Sequence, residues 1–359
     1  MHQQSNNHIL NSMQHTVLPP VAVDLFSGCG AVTQGLKQAG FKIISAVDND
    51  PIACATYKKN HPEVMLLEKD IREIDPLSLI VAPNGTVDLL IVCAPCQPFS
   101  SQNKNKAGDT RAELILQAIR FASLLNPTRI FFENVPGLTS EVNKNILNKL
   151  KNGLGKFGYR LGMPLRIDAA DYGVPQRRLR CVMFASRQDT MPVMPAPYTP
   201  AALRITVERA IGDLAPLSSG ERFAPDPLHF ARVHLPIAQQ RMKYIPKDGG
   251  SRFSLPPELE LPCHRGHTGH PDVYGRMKWQ AVAPTLTTGC TDITRGRFMH
   301  PRDDRAITLR EAARLQTLPD FYAFCGSPRD IARQIGNAVP VNLAKAVGDA
   351  VLASLTKEA

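Results

Sequence analysis

VAVDLFSGCGAVTQGLKQAGFKIISAVDND, residues 21–50, opens on an apolar run, breaks at two glycines, resumes at helical spacing and closes on a second apolar run ending in acid. The pattern reads as a strand over Val21–Phe26, a turn at Gly28 and Gly30, a helix over Ala31–Ala39 and a strand over Lys42–Val47. Glycine at such a turn lets the backbone approach a ligand closely. The pyrophosphate fingerprint of dinucleotide sites asks for a third glycine where this chain carries Thr33. A nucleotide-like cofactor without a pyrophosphate therefore suits the turn better. Asp48 ends the second strand at the usual distance for an acid that accepts both ribose hydroxyls. Asp70, in EKDI, is placed to accept from an adenine amino group. The plainer alternative is an ordinary strand–turn–helix with solvated acids.

Outward from this stretch the same alternation continues. Val87–Cys93, Arg129–Phe132 and Arg180–Ala185 read as buried strands, with amphipathic stretches at Pro51–Asn60 and Ala112–Leu125 between them. Strands alternating with helices predict an α/β fold with a mostly parallel sheet covered on both faces. A length of 359 residues predicts about two domains. Residues 187–300 are rich in Pro, Gly, Arg and His and poor in periodic segments, whereas helix returns at Leu309–Gln316 and Val341–Leu355.

Charge follows the same division. The chain carries 42 Lys+Arg against 32 Asp+Glu, a net of +10, and residues 171–310 alone hold 20 against 13. A polyanionic partner is expected. Eight irregularly spaced cysteines exclude a disulfide scaffold and point to a compartment of reduced thiols, cytosolic or nuclear. No uninterrupted apolar run approaches the length that spans a bilayer, and the polar start over residues 1–17 reads as a flexible tail without a signal peptide.

Four further segments carry chemistry. APCQPFS (94–100) follows an apolar strand, and its two prolines stiffen a loop that presents Cys96. Cys93 and Cys96 also form a CxxC, but no second pair exists to complete a zinc site. Glu133, in FFENV, follows four buried-strand residues, where a carboxylate is costly without a task or a partner. In DYGVPQRRLR (171–180), period two puts Arg178 and Arg180 on the same side, suited to an anion or a polar base edge. Cys263, His264, His267 and His270 are metal-ligand types, yet their Gly-rich, basic setting suits a phosphate-facing loop better than zinc.

Taken in order, DLFSGCG (24–30), PCQPFS (95–100), ENV (133–135), QRRLR (176–180), TLREAARLQTLPD (308–320) and QIGNAVP (334–340) resemble the C5-cytosine DNA methyltransferase family from about residue 20 to 350. Ala31 stands where many members carry a further glycine. The resemblance implies a Rossmann-like catalytic domain built from residues 18–186 and about 326–359. It also implies a smaller, mixed target-recognition domain over about 187–325.

What the family does would then map onto this chain's residues. Cys96 is the nucleophile adding to C6 of a flipped-out cytosine, Glu133 acts at N3, and Arg178 and Arg180 bind the base, the latter at its O2. S-adenosylmethionine is the methyl donor, held by Phe26, Gly28, Gly30, Asp48 and Asp70, with Asn49, Ile71, Pro95, Leu114 and Asn337 as further contacts and no metal. The loop over residues 101–111 resembles the family's mobile catalytic loop. Double-stranded DNA is the implied partner, with a cognate restriction endonuclease acting separately. A monomer in the bacterial cytoplasm, brought to the nucleoid by DNA, completes the expectation. An RNA-directed member of the family, a catalytically dead DNA-binding homologue and a dinucleotide oxidoreductase are the readings to exclude. Thr33 and the lack of a hydride-transfer site speak against the last.

Overall fold

The computed structural model describes residues 18–79, 86–100, 109–198, 203–266 and 268–356. The tail at 1–17, most of the loop at 101–111 and His267 lie outside them.

Each apolar run becomes a strand because alternate residues find a buried face on opposite sides. The strands are β1 (Val21–Leu25), β2 (Lys42–Asp48), β3 (Met65–Glu68), β4 (Leu89–Val92), β5 (Arg129–Asn134), β6 (Arg160–Leu161), β7 (Leu165–Asp168) and β8 (Leu179–Ser186). They form one sheet in the order β3-β2-β1-β4-β5-β8-β6, with β7 also paired to β8. The pairs from β3 to β5 are parallel, and β8 runs antiparallel to its three neighbours.

The helices are α1 (Ala31–Ala39), α2 (Pro51–Asn60), α3 (Gln117–Leu125), α4 (Lys144–Gly155), α5 (Val207–Ile211), α6 (Pro236–Tyr244), α7 (Leu309–Leu315), α8 (Pro328–Asn337) and α9 (Val341–Leu355). Val23, Leu25, Leu90, Val92, Ile130 and Phe132 pack toward α3 and α4. Ala22, Leu89, Ile91 and Phe131 pack toward α1, α2 and α9. This two-sided burial is why the strands read as continuous apolar runs. Gly35 makes the α1–α9 contact possible: a Cβ there would lie 2.4 Å from the Val341 carbonyl oxygen. The chain's end is thereby tied to its beginning.

Several boundaries depart from the sequence reading: β1 stops at Leu25, β2 reaches Asp48, β4 spans Leu89–Val92 against the expected Val87–Cys93, and β8 adds a residue at each end. Strand β5 runs through Glu133 and Asn134 instead of stopping at Phe132, because β8 pairs with both. The stretch expected as one helix from Ala112 starts with a 3-10 turn over Thr110–Leu116, and α-helix begins at Gln117.

Between β8 and α7 the chain holds a core of its own, with Met242, Ile245, Leu255, Leu259, Tyr274, Ile293, Met299 and Ala306 buried together. Another cluster joins α5, α7 and α8 to Met277, Leu286 and Phe298, and reaches Cys29 and Ala31 beside the glycine turn. Among the described residues, the stretch 328–355 is long and apolar enough to cross a membrane, but most of it is buried within the protein.

Candidate active site

The chain leaves β1, goes outward through β2 and β3, and returns on the other side as β4. The carboxyl ends of β1 and β4 therefore flank the point where strand order reverses, the usual ligand crevice of open α/β sheets. The glycine turn follows β1 and the Cys96 loop follows β4.

The turn is built from left-handed backbone at Phe26, Gly28 and Gly30 (φ +61°, +54° and +91°). Gly30 caps α1, and a Cβ on it would lie 2.6 Å from the His61 ring, so only glycine fits there. His61 sits with Nε2 3.1 Å from the Gly30 carbonyl oxygen, and the Tyr322 hydroxyl donates to the Cys29 carbonyl at 2.6 Å. Beneath the turn, the Thr33 hydroxyl donates to Asp24 Oδ2 at 2.8 Å and also meets the Tyr57 hydroxyl at 2.8 Å. The residue that departs from the pyrophosphate fingerprint thus has a structural task. Burial drives the Asp24 carboxyl up to about 7, the Thr33 bond opposing and the Asp48 charge adding. Asp48 receives the Gly28 amide on Oδ2 (2.8 Å) and the Asp50 amide on Oδ1 (2.9 Å). Its burial outweighs those bonds and raises its pKa.

Across the crevice, Cys96 opens a 3-10 turn over Gln97–Phe99 that is anchored by the fully buried Phe99 ring. The Asn134 amide donates to the Ala94 carbonyl at 3.1 Å, fixing the loop to the end of β5. Glu133, 7% exposed, holds Arg180 through an Nε–Oε1 contact of 2.6 Å. That ion pair supplies the partner a carboxylate in a strand needs. Burial raises the Cys96 thiol above its ordinary value and the Glu133 charge adds to this, while Arg180 and Arg178 pull the other way.

A cavity of about 460 Å³ joins the two sides. Phe26, Gly28, Asp48, Asn49, Pro95, Cys96, Glu133, Arg180 and Asn337 all line it. Five residues singled out in the sequence do not. Gly30 faces His61. Asp70 caps the 3-10 turn at Ile71–Glu73 and pairs with Arg72 at 2.6 Å, which holds its carboxyl down at about 2. Ile71 is buried in the core and Leu114 packs against that core.

Arg178 is the fifth. It is fully sequestered and donates to the carbonyls of Leu286 (3.0 Å), Gly336 (3.0 Å) and Ala338 (2.9 Å). Burial lowers its pKa to about 9, helped by the Arg180 charge. Arg178 precedes β8, so strand periodicity does not govern its direction, and its geometry is that of a clamp between segments.

Sequence reasoning passed over Ser27, Asp50, Arg333 and Gln334 on the same wall. Ser27 lies inside the glycine motif and Gln334 opens QIGNAVP, so each was adjacent to a recognised signal. Elsewhere, the His264 and His270 rings meet edge-on at 6.4 Å, and no group of three or more His, Cys, Asp or Glu among the described residues is placed to hold a metal.

The fit to a methyl donor can be tested on the cavity itself. Ser27 Oγ and Gln334 Oε1 are buried without a hydrogen-bond partner among the described residues, which calls for a polar ligand. A Cβ on Gly28 would meet no protein atom within 4 Å, which leaves room beside the turn. The residues fit S-adenosylmethionine.

A crevice with a ligand-ready glycine turn on one side and a thiol beside an ion-paired carboxylate on the other defines a cofactor-dependent group-transfer enzyme on a Rossmann-like sheet. The model of the C-5 cytosine-specific DNA methylases matches residues 21–353, and the chain belongs to that family. Type II methylase M.HgiDII of Herpetosiphon aurantiacus is 37% identical over 337 residues, covering 92% of this chain and 94% of the relative. Type II methyltransferase M.XorII of Xanthomonas oryzae pv. oryzae is 33% identical, covering 94% and 86%. The methyltransferase EhMeth of Entamoeba histolytica shares the fold at a TM-score of 0.63 and 17% identity, over 94% of this chain and 99% of that one. The protein is a DNA cytosine-5-methyltransferase of the restriction-modification type, its substrate is DNA, and its methyl donor is that of its family, S-adenosylmethionine.

Proposed function

We propose that this chain methylates C5 of a flipped-out cytosine in a specific duplex sequence through a covalent bond between Cys96 and C6. The observation that carries the reading is the shared cavity: Cys96, Glu133 and Arg180 face the same space as the glycine turn and Asp48.

C5 of cytosine is too weak a nucleophile to take a methyl group unaided, so a covalent route is needed. The Cys96 sulfur adds to C6 as thiolate, making C5 enamine-like. Glu133 holds a proton at N3 and stabilises the charge pushed into the ring. Arg180, released from sole attention to Glu133, donates to O2. The bound donor supplies an electrophilic methyl group. Transfer of the C5 proton to solvent water then breaks the C6–S bond, expels the Cys96 sulfur as thiolate and restores the ring. The resting thiol is protonated, since burial and Glu133 hold its pKa up, so the proton must leave Cys96 as the base arrives.

On the donor side, Phe26, Gly28, Asp48, Asn49, Pro95 and Asn337 bind, whereas Gly30, Asp70, Ile71 and Leu114 act by shaping the wall. A stacked base is out of reach of Cys96, so the target must leave the helix. The basic segment 187–325 contacts phosphates and base edges in the grooves. The enzyme works as a monomer without metal, in the bacterial cytoplasm on nucleoid DNA, beside a separate endonuclease of the same specificity.

Base-resolution mapping of 5-methylcytosine in a methylation-free host tests this. One short motif should be methylated at one cytosine, and Cys96→Ala should silence it while leaving cofactor binding intact. Methylation by the Cys96→Ala protein would overturn the covalent route. Glu133→Gln should slow methyl transfer at least 100-fold, the usual scale of general-acid help, with DNA affinity changed far less.

A further inference from the structure

The buried amide of Gln334 is unusual in what it leaves unused. Gln334 is 5% exposed, lies on α8 and lines the 460 Å³ cavity. Its Nε2 donates to the Cys325 carbonyl at 2.9 Å. A carbonyl oxygen can only accept, so this bond fixes which end of the amide faces Cys325 and turns Oε1 away from it. Oε1 has no donor among the described residues. A buried acceptor left unpaired costs about 1–3 kcal/mol, and folded proteins rarely retain one without a use for it.

The surroundings hold the amide in place. Residues 323–325 are strapped to α2: the Asn60 side chain exchanges both polar contacts with Ala323 (2.7 and 2.9 Å), and the Cys325 amide donates to Thr56 Oγ1 at 2.9 Å. One residue earlier, Tyr322 grips the glycine turn through the Cys29 carbonyl. Thus Cys325, to which Gln334 is pinned, belongs to a strap that also fixes α2 and the turn. On the same stretch of α8, Arg333 pairs with Asp50 at 3.1 Å, and both line the cavity. A rigidly held acceptor facing a ligand cavity is a preorganised contact.

We propose that Gln334 is a binding residue for the methyl donor, its Oε1 accepting a hydrogen bond from an N–H or O–H of S-adenosylmethionine. The proposal rests on the donor occupying the cavity beside the glycine turn.

The test is calorimetric binding of S-adenosylhomocysteine and of 5′-methylthioadenosine to the full chain without DNA, together with melting of the unliganded protein. Gln334→Met keeps volume and removes both polar ends. It should weaken S-adenosylhomocysteine about 3- to 10-fold, the worth of one hydrogen bond. Weakening of both ligands places the contact on the nucleoside; weakening of S-adenosylhomocysteine alone places it on the amino-acid end.

Gln334→Glu serves as the second variant. It keeps an acceptor at the Oε1 position in either protonation state, so it should bind S-adenosylhomocysteine more tightly than the Met variant does. A Met variant that melts lower but binds both ligands as wild type does would overturn the proposal and leave Gln334 a strut. So would a Glu variant that binds no better than the Met variant. If wild-type protein itself binds neither ligand, the prior reading of the cavity fails instead, a result these variants do not mimic.

Discussion

The sheet and the segment between β8 and α7 solve the same problem with opposite materials. In the sheet, strands β1, β4 and β5 are buried on both faces by Val, Leu, Ile and Phe, with Asp24, Arg129 and Glu133 as the buried charges they carry. In the later segment a small apolar core is supplemented by buried charge. Arg276 and Arg305 are wholly buried, and Arg276 alone reaches the carbonyls of His300, Asp303 and Met242 and the carboxylate of Asp304. Arg305 forks onto Glu311 through Nη1–Oε2 (2.9 Å) and Nη2–Oε1 (2.8 Å) and also reaches Asp303 at 2.9 Å. Glu311 in turn caps α7 by accepting from the Thr308 amide at 2.7 Å. A loop-rich segment offers few ladder hydrogen bonds, so guanidinium groups collect its stray carbonyls.

The largest effect should come from breaking that fork. Arg305→Ala leaves Glu311 buried without its guanidinium partner and takes from Asp303 one of its two, Arg302 remaining, and about 3–5 kcal/mol of stability should be lost in chemical denaturation. Arg305→Met with Glu311→Leu removes both charges and should recover most of the loss. If the single and double variants are equally unstable, packing and not charge holds the segment.

Acid should separate the two regions next. Asp303 is held down at about 2 and Glu311 is lowered too, although burial opposes both; the Arg302 hydrogen bond leads for the first and Arg305 for the second. Carboxylates with depressed folded values stabilise above the unfolded pKa and lose that contribution as pH falls through the folded one. His300, lowered to about 4 by burial, adds the same sign between about 6.5 and 4. Asp24 is the reverse case. Its carboxyl is raised to about 7, so its contribution is full below 3.8 and is lost as pH rises toward 7. Hydrogen exchange from pH 7 to pH 4 should therefore show protection falling first in residues 215–311. Asp24→Asn should flatten the pH dependence of melting between pH 5 and 8. Equal loss of protection in both regions would end the distinction.

This contrast also explains what could be read without coordinates. Helices α1, α2 and α9 and strands β1, β2, β4 and β5 were legible because each is a local pattern, an apolar run or a helical spacing broken by glycine, whereas the short, half-buried β3 was not read. Glu133 was legible as costly, but its partner Arg180 stands 47 residues on in a strand whose antiparallel pairing no local signal announces. Asp70 and Arg178 show the limit. A carboxylate two residues from Arg72 closes on its neighbour, and a guanidinium surrounded by carbonyls from residues 286 and 336–338 is spent on tertiary structure. In residues 187–308 the stabilising contacts join positions far apart in sequence, such as Arg276 with Met242 and Asp304, and leave no period behind.

The smallest effect lies inside the sheet region and asks whether its few charges act as a group. Cys96 is protonated at rest because burial and the Glu133 charge outweigh Arg180 and Arg178. Replacing Glu133 by Gln removes a raising charge and frees Arg180, so the thiol pKa should fall. Alkylation of Cys96 by iodoacetamide at pH 7.5, followed on its peptide by mass spectrometry, should then accelerate about 3- to 10-fold, since thiolate is the reactive form. Arg180→Ala removes a lowering charge and should slow the same reaction. Exposed Cys263, remote in sequence from both substitutions, supplies an internal reference. A Glu133→Gln protein that alkylates more slowly than wild type would mean that the carboxylate draws the proton away from sulfur instead of holding it there, and Glu133 would then be the base that prepares Cys96 for attack.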